Sequence, residues 1–151
     1  MIVENWLDKE LHNFLEKEFL YLTPHYYGHK SEAKTKNVFY NTDLNSNDPL
    51  IRFLSQKLQK TLNNKLVIHR IYINIQHPNM DGDFHTDEGN LTCVYMVTGN
   101  GNLEIKNEKL IEFKNNKLIC FDSKKLHRGL APTEGIRITL AFKTTTTGEK
   151  Y

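Results

Sequence analysis

Residues 83–89 read Asp83-Phe84-His85-Thr86-Asp87-Glu88-Gly89, placing an imidazole and a carboxylate two positions apart. In an extended chain, residues i and i+2 face the same side, about 6.6 Å apart at Cα. His85 and Asp87 can therefore converge on one point, while Thr86 and Glu88 face away. Directly after them comes LTCVYMVTG (91–99), rich in β-branched and aromatic residues. The pair stands at the entrance to a strand, and the surrounding sequence decides what kind of sheet that strand joins.

Beyond Asn64 the whole chain has this texture. KLVIHRIYINIQ (65–76), GNLEIKN (101–107), KLIEFKN (109–115), KLICFD (117–122) and RITLAFK (137–143) are short apolar runs separated by Gly, Asn, Asp and Lys. Such spacing predicts an antiparallel sandwich or barrel. Before Asn64 the period changes. Trp6, Leu7, Leu11, Phe14, Leu15 and Leu20 recur at helical spacing, as do Leu50, Ile51, Leu54, Leu58 and Leu62, with Asp48 as N-cap. Residues 21–47, with Pro24, Gly28 and clusters of Asn, Asp and Ser, read as a long loop. The tail TTTTGEKY reads as frayed. Helices first and strands after predict an α+β domain over 1–151, with a helical part at 1–64 and a β core at 65–143.

Composition narrows the function classes. A net charge of +2 lacks the strong basic bias of nucleic-acid binders. No apolar run approaches the roughly 20 residues of a membrane span, and the acidic N-terminus is unlike a signal peptide. Cys93 and Cys120 lie in apolar runs and read as buried, reduced thiols, and Asn90-Leu91-Thr92 as a chance sequon. The expected setting is cytoplasmic.

A third candidate ligand sharpens the metal reading. His127 follows the strand-like KLICFD and precedes a turn marked by Gly129, Pro132 and Gly135. Two His and one carboxylate leave coordination positions open on an octahedral metal, the pattern of non-haem Fe(II) oxygenases. A structural zinc site would use four ligands and favour Cys. Arg137 lies ten residues beyond His127, and its planar guanidinium can grip a carboxylate through two hydrogen bonds. Thr139 shares its strand face and adds a hydroxyl.

Together, HTD at 85–87, His127 and Arg137 resemble the motif of the Fe(II)/2-oxoglutarate-dependent oxygenases, and the ten-residue step resembles their prolyl-4-hydroxylase branch. YIN at 72–74, GDFHTD at 82–87 and RITLAFK at 137–143 look like the short forms carried by marine phages. The resemblance covers 65–143 well and the N-terminal half loosely, at YYGHKS (26–31). It implies a double-stranded β-helix of jelly-roll or cupin type with flanking N-terminal helices. It implies Fe(II) on His85, Asp87 and His127, 2-oxoglutarate on Arg137 with Thr139, and O2 as cosubstrate. Asn74 matches an Asn that helps bind the cosubstrate in some relatives. Tyr95 is a candidate for a cosubstrate hydrogen bond, with Met96 as the other residue that could face inward. GNGNLEI (99–105) departs from the Gly-Gly-x-Leu of many prolyl hydroxylases.

The implied reaction is hydroxylation of a C–H bond, with 2-oxoglutarate converted to succinate and a peptidyl residue as substrate. An AlkB-type nucleic-acid demethylase, a free amino-acid hydroxylase and a non-enzymatic β-barrel binding module with a structural metal are the alternatives. Lys143 stands where the AlkB-type enzymes have a second Arg, but the His-to-Arg step here is shorter than theirs. His12 reads as solvated, and His69 and His77 as ordinary histidines. Tyr26, Tyr27 and His29 are possible substrate contacts on a loop, and KKLHR (124–128) is a basic rim.

Overall fold

The computed structural model describes residues 1–151. Ten strands, two α-helices and one π-helical turn follow in the order β1 (Ile2–Val3), α1 (Lys9–Lys17), the π-helical turn (Glu18–Leu22), β2 (Tyr26–His29), β3 (Phe39–Asp43), α2 (Pro49–Leu62), β4 (Leu66–Gln76), β5 (Leu91–Thr98), β6 (Asn102–Ile105), β7 (Ile111–Glu112), β8 (Lys117–Asp122), β9 (His127–Leu130) and β10 (Arg137–Thr146). Seven strands form an antiparallel major sheet in the order β1-β8-β5-β10-β4-β3-β2. A minor sheet, β7-β6-β9, faces it. This is the double-stranded β-helix expected from the sequence.

Alternation along the major sheet assigns its two faces. Ile71, Ile73, Ile75, Cys93, Tyr95, Val97, Leu118, Cys120, Ile138, Leu140 and Phe142 pack beneath the helices with Leu15, Leu54 and Leu58. Tyr72, Val94, Met96, Ile119, Phe121 and Ala141 face the minor sheet with Leu103, Ile105 and Phe113. Both helices begin on aspartates: Asp8 accepts from Leu11 N at 2.9 Å, and Asp48 from Leu50 N at 2.9 Å with Pro49 as the first helical residue. Asn63 ends α2 in the left-handed conformation, φ 47°.

The structure corrects the expectations in three places. The segment 21–47 is no continuous loop: it contributes β2 and β3, which pair with each other and, through β3, with β4. The stretch 1–64 is thus part sheet, with β1 pairing β8 as well. The tail is ordered as far as Thr146 within β10, because Thr144, Thr145 and Thr146 pair with Ile68, Val67 and Leu66. Thr147 N then donates to Lys65 O at 3.0 Å and Lys65 pairs with Glu149 at 2.9 Å.

His12 is buried rather than solvated. Its Nδ1 lies 2.5 Å from the Tyr95 hydroxyl, which also reaches Asn116 Oδ1 at 3.1 Å. Asn116 in turn bonds both backbone groups of Leu7, at 2.9 and 2.8 Å. This buried network ties α1 to the sheet. The expectation for the thiols fits: Cys93 and Cys120 are free, buried and directly opposite across β5 and β8. No helix is long and apolar enough to cross a membrane.

Burial holds the His12 pKa below its ordinary value, with Glu16 opposing. As pH falls through about 6.5 the unfolded chain takes up a proton that folded His12 resists, so stability declines. In urea titrations at pH 7.5 and 5, His12→Gln should lose less stability between the two pH values than the parent chain. Tyr95→Phe should cost about 1–3 kcal/mol at pH 7.5, because it strands buried partners.

Candidate metal centre

His85 lies just before β5 and His127 opens β9, and the two form an antiparallel bridge. His85 N donates to His127 O and His127 N to His85 O, both at 3.0 Å. Their rings sit side by side, centroids 4.4 Å apart, with Phe121 edge-on to His127 at 4.7 Å. His85 Nδ1 lies 2.9 Å from Asp83 O, and His127 Nδ1 lies 2.9 Å from Lys125 O. A carbonyl only accepts, so each Nδ1 carries the proton and each Nε2 presents a lone pair.

Both lone pairs meet Asp87. His85 Nε2 is 3.6 Å from Asp87 Oδ1 and His127 Nε2 is 3.2 Å from Oδ2. The three ligand atoms lie within 4.8 Å of one another. Asp87 is held by its backbone, N donating to Ser123 O at 2.9 Å, and by Thr92, whose hydroxyl donates to Oδ2 at 2.8 Å. Lys143 Nζ forms an ion pair with Oδ1 at 2.9 Å. Burial alone would raise the Asp87 pKa; a proton on the facing His127 nitrogen and the Lys143 ammonium outweigh it and hold the carboxyl well below the usual range, so a bound cation takes the place of that proton. Burial, then His127, lowers the pKa of His85. Two imidazole Nε2 atoms and an ionised carboxylate converging within 4.8 Å make a donor set that fits a divalent cation.

The cavity beside this group, about 50 Å³, runs between the sheets. Its major-sheet wall is the inward row of β4, Tyr72, Asn74 and Gln76, against the inward row of β10, Arg137, Thr139 and Ala141. The cross-strand pairs are Arg137 with Gln76, Thr139 with Asn74, and Ala141 with Tyr72. Arg137 is buried, with its guanidinium carbon 5.1 Å from the Phe113 ring centroid. Nη1 donates to Asn102 O at 3.2 Å and to Leu130 O, whereas the buried Nε has no partner. Burial pushes its pKa down to about 10, against the pull of Asp81, so it stays charged at neutral pH. An unpaired buried donor of this kind is costly until an anion meets it.

The structure brings His85, Asp87, His127, Arg137, Thr139 and Asn74 to one cavity. Asn74 accepts from Asn41 Nδ2 at 2.7 Å, and Asn41 accepts from Arg70 at 3.0 Å. Tyr95 is not among them. It faces the helices in the His12 network, and Thr92 and Val94 of the same strand line the cavity instead. Met96 shares their face but is buried in the apolar cluster there. Glu88 points away, its carboxylate 3.8 Å from His69.

Gln76, Thr92, Ser31 and Gly129 are cavity residues that sequence reasoning missed. Period-two stepping from Asn74 reaches Gln76. Gly129 follows no such signal. A Cβ there would stand 3.1 Å from both Arg137 Nη1 and Gln76 Oε1, so the small residue leaves the guanidinium its place. A wider groove of about 590 Å³ beside α2, lined by Phe53, Gln56, Lys57, Lys60 and Tyr151, holds no converging ligands.

No protein-family model matches the sequence, and no curated protein matches it. Solved structures do match. A viral collagen prolyl hydroxylase from Paramecium bursaria Chlorella virus-1, in complex with 2OG, aligns with TM-score 0.69 at 15% identity, covering 95% of this chain and 94% of that one. A prolyl hydroxylase in complex with a hypoxia inducible factor peptide fragment from Trichoplax adhaerens gives 0.71 at 13%, covering 95% and 82%. A Pseudomonas putida prolyl-4-hydroxylase gives 0.68 at 12%, covering 94% and 90%. At these identities the likeness is one of fold.

A cation bound only by the folded centre should raise stability by about 2.7 kcal/mol at a hundredfold excess over its dissociation constant. Thermal unfolding with Co(II), whose ligand-field bands report coordination, should show this shift in the parent chain. Asp87→Ala should abolish both shift and bands.

Proposed function

We propose that the chain is a single-domain dioxygenase, 1–151, that uses Fe(II), 2-oxoglutarate and O2 to hydroxylate a C–H bond. The observation that carries this reading is the convergence of His85, Asp87 and His127 in a cavity that also holds a buried guanidinium with an unpaired donor. A metal site kept for structure has no use for such a clamp. The free thiols fit a reducing, cytoplasmic setting.

In this reading His85, Asp87 and His127 hold the iron. Together with 2-oxoglutarate and O2, bound iron supplies oxidative decarboxylation to succinate and CO2, coupled to hydroxylation of the substrate. The carbonyls of Asp83 and Lys125 accept from the two Nδ1 atoms and so orient both Nε2 atoms toward the metal position. Thr92 fixes one oxygen of Asp87, and Lys143 stands 2.9 Å from the other. Arg137 takes the distal carboxylate of 2-oxoglutarate, Thr139 adds a hydroxyl, and Asn74, oriented by Asn41, contributes an amide. Apolar Val94, Leu103 and Ala141 exclude water along the wall.

For the substrate we take a peptidyl residue. Support comes from the prolyl hydroxylases of similar fold, one of which is described with a peptide fragment.

Succinate release, measured anaerobically and then with O2, tests the reaction. The parent chain should form succinate only with Fe(II) and O2 present, and Asp87→Ala none. Arg137→Ala should raise the KM for 2-oxoglutarate roughly tenfold to a hundredfold, the worth of hydrogen bonds to a charged group. Gly129→Ala, which crowds that guanidinium, should raise it in the same direction. If the parent chain forms no succinate and its iron form binds no 2-oxoglutarate, the oxygenase reading fails.

A further inference from the structure

We propose that the substrate carries a carboxylate, which Lys143 and Arg70 receive beside the metal centre. The inference rests on the oxygenase reading and names the substrate class for that site.

Arg70 and Lys143 are direct cross-strand partners on β4 and β10. Both continue the inward rows, Arg70 below Tyr72 and Lys143 beyond Ala141, so two cations face each other at the cavity side of the sheet. Like charges placed directly opposite are destabilising, and a local conflict of this kind marks a functional position more often than a structural one. The two also converge on one ring: the Arg70 guanidinium carbon is 4.1 Å from the Tyr72 centroid and Lys143 Nζ is 5.5 Å from it. Lys143 then borders the metal ligands directly, 2.9 Å from Asp87.

Neither cation is sealed off: the side chains are 15% and 29% exposed for Lys143 and Arg70. Arg70 spends Nε on Asp43 at 2.6 Å and Nη2 on Asn41 at 3.0 Å. That fixes the guanidinium and leaves Nη1 for a ligand. His29, near both, stays neutral, its pKa pushed down to about 4 by burial, then by Arg70 and Lys143.

Because Lys143 touches a metal ligand, the anion belongs to the residue being hydroxylated rather than to a distant part of the substrate. An acidic side chain or a free acid fits this geometry. A phosphate would use the same two cations.

The test uses matched probes: N-acetyl methylamides of aspartate, glutamate, asparagine, glutamine and phosphoserine. With 2-oxoglutarate saturating, their stimulation of succinate release gives half-saturating concentrations. Aspartate or glutamate should be favoured over its own amide roughly tenfold or more. In the Lys143→Met, Arg70→Gln double variant that ratio should approach one. The ratio is internal to each variant, so partial loss of fold or iron cancels.

Calorimetric binding of the same probes to Arg137→Gln protein reads the preference without turnover and without the cosubstrate's own clamp. A preference for phosphoserine over both acids overturns the carboxylate assignment. Equal affinity for acid and amide, or no binding by any probe, overturns the proposal. Acid preference in calorimetry, with no succinate and no 2-oxoglutarate binding by the iron form, sinks only the oxygenase reading.

Discussion

The site depends on two reciprocal hydrogen bonds between the backbones of His85 and His127. They join the chain just before β5 to the first residue of β9, and so couple the two halves of the sandwich where the ligands meet. Each histidine is then oriented by a carbonyl two residues behind it, the same arrangement used twice. Asp87, two residues past His85, falls on the shared side by the period of the extended chain. With the bridge made, three acceptors converge on one point, a repulsive arrangement by itself that a bound cation turns into an attraction.

The ligands were legible because the chemistry is local. A two-residue spacing places His85 with Asp87, and Arg137 with Thr139, whatever the surrounding sheet does. Tyr95 was misplaced for the opposite reason. β5 is buried on both faces, between the helices and the minor sheet, so its sequence shows no polar-apolar alternation to fix the parity. Only the register with β10, where Thr139 meets Met96 and Ala141 meets Val94, reveals which set faces the cavity. His12 looked solvated because its partners, Tyr95 and Asn116, are distant in sequence. β2 and β3 were hidden by turn residues, among them Gly28 at φ 104°, where the pairing register shifts.

The architecture tolerates wide sequence change because few positions carry its constraints. Prolyl hydroxylases at 12–15% identity superpose along almost the whole chain. Core positions ask only for apolar volume on the correct face. Fold alone leaves the chemistry open, which is why the orphan nitrogen of Arg137 and the convergence of His85, Asp87 and His127 say more than the superposition does.

β4, β5 and β10 each pair on both sides within the major sheet, and they form one wall of the cavity. The opposite rim near Ser31 and Phe39 belongs to the segment that includes β2, an edge strand paired only to β3. Doubly paired strands of this kind open last and singly paired edge strands such as β2 open first. The residues assigned to the cosubstrate, Arg137, Thr139 and Asn74, are thus mounted on doubly paired strands, whereas the metal ligands bridge the loop before β5 and the first residue of β9.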